Sequence, residues 1–127
     1  MLVNARTSDV VATTVELADT RAARNKGLLG RDRLDPNTAL VLIPCFSVHT
    51  AFMRFAIDVI FVDRRGTVVR LVKNLVPWRI AASFRAHAVI ELSAGALDTR
   101  DVRPGDRLYL AAANETDRVA VSWPLSA

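Results

Sequence analysis

The chain has 127 residues, 51% of them hydrophobic, with 17 basic and 13 acidic side chains and a net charge of +4. That length suits one domain spanning residues 1–127, since a chain of this size buries about 60–70% of its unfolded surface around a single core. Its longest apolar runs fall far short of the roughly 20 residues a membrane-spanning helix needs, which excludes such a span. A single cysteine, Cys45, excludes an internal disulfide framework and a cysteine-based metal cluster. With no basic-then-apolar leader at the N-terminus, a cytoplasmic location is expected.

In chain order, Val10 to Leu17 is rich in β-branched residues and reads as a strand. Thr20 can cap a short helix whose apolar side is Ala22, Ala23 and Leu28–Leu29, with Gly30 as a left-handed stop. Leu34 to Asn37 forms a turn, and Ala39 to Ile43 a buried strand ended by Pro44. Ile57 to Val62 is a second buried strand. Asp63-Arg64-Arg65-Gly66 then connects it as a hairpin to an antiparallel strand over Thr67 to Val72.

Val76 to Arg79 interrupts the pattern, and Ala81 to Arg85 is expected to be an irregular connection. Ala88 to Leu92 is a further strand, Val102 to Asp106 a proline-glycine turn, Arg107 to Ala111 a strand and Val119 to Trp123 a last one. Six or seven short strands with one early helix predict a mainly β fold, a compact β-sandwich or open barrel.

Four motifs occur in order: Arg24-x-x-Gly27-Leu28-Leu29-Gly30-Arg31, then Asp58-Val59-Ile60-Phe61-Val62-Asp63-x-x-Gly66-x-Val68-Val69, then Glu91-Leu92-x-Ala94-Gly95, and Gly105-Asp106. The series, over about residues 10–111, resembles the domain of unknown function 192 family of bacteria and archaea. The resemblance implies a β-rich, sandwich-like fold with one short helix. It carries no activity and no catalytic residues, because that family has no assigned reaction. The commoner family pattern has a tryptophan-methionine-lysine segment before the aspartate matching Asp58, where this chain has His49 to Arg54.

The stretch from Ile43 to Asp63 is the most apolar part of the sequence, yet it contains Cys45, His49, Thr50, Arg54 and Asp58. Burial penalises such groups unless they are partnered. Arg54 and Asp58 can form an ion pair, or Arg54 can offer its planar fork to a ligand anion while Asp58 orients it, or Asp58 can cap a turn. Cys45 next to His49 raises a nucleophile reading, weighed against a buried structural thiol. Pro77-Trp78-Arg79 can stack on a flat ligand and hold its anion, or close one end of the core.

Six basic residues and no acid lie between Asp63 and Glu91, so positive charge is regional. The leading expectation is a binding module for a small anionic or polar ligand, its pocket framed by His49, Thr50, Arg54, Asp58, Trp78 and Arg79. The alternatives are a hydrolase or metal-assisted enzyme using His49 with Asp58 or Cys45, with a His49, His87 and Asp58 or Glu91 metal set as one version, and a protein-interaction scaffold. No cofactor is called for, and the 6% aromatic content argues against nucleic acid. The oligomeric state is not encoded in any motif.

Overall fold

The computed structural model describes residues 1–112 together with 120 and 121. In chain order its elements are β1 (Leu2–Asn4), β2 (Val10–Ala12), β3 (Thr14–Ala18), α1 (Arg21–Lys26), β4 (Thr38–Leu42), β5 (Ser47–His49) and β6 (Ile57–Val62). They continue with β7 (Val68–Leu75), β8 (Ile80–Ala82), β9 (Ala88–Ser93), α2 (Ala96–Thr99), β10 (Leu108–Ala111) and β11 (Ala120–Val121).

Alternation on the central strands explains the layering. In β6, Ile60 and Val62 face one core with Val41, Ile90 and Leu92, while Ile57, Val59 and Phe61 face another with Leu40, Leu42 and Val89. A strand with both faces covered must be apolar along its whole length, and β6 is buried at every position. It sits inside a five-stranded sheet ordered β3-β4-β9-β6-β7.

The first core is closed by Leu2, Val11 and Leu108 of a four-stranded sheet, β11-β10-β1-β2, and by Leu97 of α2. The second is closed by Leu28 after α1 and by Val48 and Ala81 of a two-stranded ribbon, β5-β8. The result is a mainly β, sandwich-like fold in three layers, with no closed barrel among the described residues.

Strand pairing is antiparallel except for β3 with β4, which α1 joins as a crossover. The expected Val10 to Leu17 strand is two strands in different sheets, because the chain changes layer at Thr13. There the amides of Thr13 and Thr14 both donate to the Asn37 carbonyl, at 3.0 and 3.1 Å. Thr20 caps α1 as expected, its Oγ1 accepting from the Ala23 amide at 3.1 Å. The stop falls at Gly27, with φ +47°, rather than at Gly30. The Asp63 carboxylate closes the β6–β7 hairpin by accepting from the amides of Arg65 and Thr67, at 2.8 and 3.0 Å.

Four elements exceed the sequence reading: β1, β5, β8 in the supposedly irregular 81–85 region, and α2. Of the expected Val119 to Trp123 strand, Ala120–Val121 pairs with β10, and the rest lies outside the described residues.

Candidate functional site

On β9 the apolar positions Ala88, Ile90 and Leu92 belong to the first core, so Val89 and Glu91 point to the other side of the sheet. Glu91 sits between Leu40 of β4 and Val59 of β6 and is 5% exposed. Its Oε2 has no hydrogen-bond partner. Burial pushes its carboxyl up to about 7, and the Arg31 guanidinium only partly opposes the rise. Arg31 is already held by both oxygens of Glu16, at 2.9 and 3.1 Å. A buried carboxyl with an open lone pair is unfavourable in a purely structural core.

Glu91 lines a cleft of about 410 Å³ between the C-terminal half of α1 and β5. The apolar wall includes Leu28, Leu42, Val48 and Met53, and the polar groups include Arg24, Cys45, Ser47 and His49. Arg24 fixes the helix in place, its guanidinium donating to the carbonyls of Asp19 and Ile43 at 3.0 and 3.2 Å. The Cys45 thiol donates to the Ser47 carbonyl at 3.1 Å, and burial pushes its pKa up, away from the thiolate form. His49 is an exposed residue of β5, paired with Ile80 of β8.

Of the six residues expected to frame a pocket, only His49 lines this cleft. Thr50 is buried and ties the two segments together: its Oγ1 accepts from the Arg79 amide at 2.8 Å and donates to the Val76 carbonyl at 2.6 Å. Arg54 is exposed and pairs with Asp32.

Asp58 is buried and accepts from three backbone amides, those of Asn74 at 2.8 Å, Leu97 at 2.9 Å and Gly95 at 3.1 Å. The expected Arg54–Asp58 ion pair is therefore absent; Asp58 acts as a cap for α2 and for the bend at Asn74, where φ is +53°. Trp78, with φ +68°, is exposed, and its ring meets that of Phe52 edge-on at 4.6 Å. Arg79 is exposed beside it.

Neither Asp58 nor the Cys45 thiol is hydrogen-bonded to His49; Cys45 and His49 line the same cleft, whereas Asp58 does not. His87 lies in a separate basin with Arg64, Arg65 and Arg85 rather than with His49. Among the described residues no three His, Cys, Asp or Glu side chains are grouped to hold a metal ion.

In the sequence, Glu91 stands out as the first residue of a family motif and as one member of an alternative metal set, not as a pocket residue. The available signal was one acid within the apolar run Ala88 to Leu92. The part of α1 in the cleft had no such signal, because its approach to β5 is a tertiary event.

Fold and cleft together define a small three-layer β protein with a recess lined by a buried acid. The chain belongs to the domain of unknown function 192 (DUF192) family, described as uncharacterized ACR, which it matches over residues 2–110. A UPF0127 protein of Thermococcus sibiricus is 32% identical over an alignment covering 100% of this chain and 84% of the relative. Another UPF0127 protein, from Pyrococcus abyssi, is 38% identical over 74% of this chain and 83% of its own.

Two solved structures share the fold. A candidate transcription regulator from Sinorhizobium meliloti has a TM-score of 0.68 and 29% identity, covering 74% of this chain and 78% of that one. A protein of unknown function from Novosphingobium aromaticivorans has a TM-score of 0.69 and 25% identity, covering 76% and 74%.

Proposed function

We propose that the chain is a small-molecule binding module whose cleft between α1 and β5 takes a polar ligand carrying an N–H or O–H donor. The observation that carries this reading is the unpartnered Oε2 of buried Glu91 at the cleft. A donor group from a ligand would satisfy that lone pair, and the apolar wall of Leu28, Leu42 and Met53 would cover the ligand's carbon skeleton. His49 and Ser47 stand at the same cleft as further hydrogen-bonding groups. Thr50 and Asp58 support it indirectly, by fixing the backbones on which the ribbon and β6 depend, while Arg54, Trp78 and Arg79 lie outside the cleft lining and take no part in this reading.

Binding is favoured over catalysis because the Cys45 thiol is held in its protonated form and Asp58 is fully committed to backbone amides. The test is a thermal-shift panel of polyols, amides, amines and amino acids, alongside phosphates and carboxylates. It is run on wild type, Glu91→Leu, Arg54→Ala and Arg79→Ala. A ligand at about 100 times its Kd adds roughly 2.7 kcal/mol to stability. A donor-bearing compound is expected to raise the melting temperature of wild type and of both arginine variants, and to leave Glu91→Leu unmoved. Equal shifts in wild type and Glu91→Leu would take Glu91 out of the site.

A further inference from the structure

A different surface carries its own message. The largest exposed hydrophobic side chains cluster on and around the β5-β8 ribbon: Phe84 at 90% exposure, Ile80 at 79%, Phe52 at 74%, Trp78 at 59% and Phe46 at 49%. They come in two aromatic pairs at opposite ends of the ribbon. Phe46 and Phe84 lie 5.7 Å apart, where the Ser83 amide donates to the Phe46 carbonyl, and Phe52 meets Trp78 at the other end. Ile80 stands between them on β8, opposite His49. Soluble proteins rarely leave so much apolar surface together without a use for it.

The charge beside this surface is predominantly positive. Arg64, Arg65, Arg85 and His87 surround an open basin of about 390 Å³ that has Phe84 on its lining. The one acid there, Asp63, spends its carboxylate on the amides of Arg65 and Thr67. Arg79, beside Trp78, adds a cation at the far end.

We propose that this face docks on the surface of an anionic lipid bilayer, with Phe84, Ile80 and Trp78 entering the interface and Arg64, Arg65 and Arg85 holding lipid phosphates. Three features select that occupant. The most exposed side chains, Phe84 and Ile80, are hydrocarbon only, which a bilayer accepts and a polar partner does not reward. They stand largely free of the rest of the protein, and lipid can envelop such side chains without a matching set of pockets. The Phe52 and Trp78 rings lie 62° to each other, edge to face, instead of presenting the parallel open faces on which nucleic-acid bases stack.

The experiment is co-sedimentation of the whole chain with phosphatidylcholine vesicles, with and without about a third phosphatidylglycerol, at low and high salt. The expected result is retention on the anionic vesicles at low salt, release at high salt, and no retention on neutral ones. Replacing Arg64, Arg65 and Arg85 by Ala should weaken binding by about fivefold per arginine. Phe84→Ser with Ile80→Ser should abolish it at unchanged melting temperature, since both side chains are exposed. In a Trp123→Phe background, Trp78 emission should shift to the blue when anionic vesicles are added, a readout that leaves Phe84, Ile80 and the basin arginines unaltered.

Equal partition to neutral and anionic vesicles overturns the proposal, as does anionic binding that survives loss of Phe84 and Ile80. Tighter capture by single-stranded DNA or polyglutamate than by vesicles also overturns it and assigns the face to a nucleic acid or an acidic protein. None of these outcomes bears on the Glu91 cleft.

Discussion

In the folded protein the Glu91 carboxyl releases its proton near pH 7, whereas in the unfolded chain it does so near 4.5. Below pH 4.5 both states hold the proton and the group is neutral to stability. Between 4.5 and 7 the folded state retains a proton that the unfolded state has lost, so stability falls as pH rises and levels off above 7. The full penalty is on the order of 3 kcal/mol. Glu91→Gln is therefore expected to match wild type in urea unfolding at pH 4 and to exceed it by up to about 3 kcal/mol at pH 8. An equal gain at both pH values would show that burial does not raise the carboxyl above its unfolded value. Retention of an acid at such a cost is what a binding role would explain.

Short elements here are held by side chains that reach them from elsewhere. Asp58 on β6 stabilises both the first turn of α2 and the bend of β7 through its three amide contacts. Asp58→Ala leaves all three N–H groups buried or half-buried without that acceptor, and is expected to cost about 3 kcal/mol or more in chemical denaturation. A loss below 0.5 kcal/mol or so, the usual size for surface changes, would mean water replaces the carboxylate freely.

The same point explains what could be read from the sequence. β6 and its hairpin were legible because six consecutive apolar-or-Asp residues and an Asp-Arg-Arg-Gly turn are local signals. α2, with four residues, and the ribbon strands, with three each, have no period to detect; they exist because Asp58 and Thr50 anchor them. Four of the six proposed site residues, His49, Thr50, Arg54 and Asp58, stand out as polar among apolar neighbours, and that criterion finds structural anchors as readily as ligand contacts. Thr50 and Asp58 are the former, while Glu91, which met the same criterion in a different strand, lines the cleft.

Across the whole molecule, the five-stranded sheet is shared by both cores, so neither covering layer can separate without exposing one apolar face of β6. The amides of β6 bond to β7 on one side and β9 on the other, and every residue of the strand is buried. Hydrogen exchange in the interior of β6 is expected to proceed only by global unfolding, with protection equal to the free energy from denaturant titration. The β5-β8 ribbon, paired only with itself, should exchange by local opening at lower free energy. Equal protection in the two places would show that the ribbon melts only with the rest.

The parallel pairing of β3 with β4 also fixes what can vary without harm. Parallel neighbours oblige the intervening residues 19–37 to travel back along the sheet, and α1 lies on that return path. The helix is thus one bank of the recess only because of the way the polypeptide is threaded. Lengthening or trimming the connection between the core residues Leu28 and Leu34 would move that bank while the sheet stayed as it is, making this detour the natural dial for widening, narrowing or reshaping the hollow above Glu91.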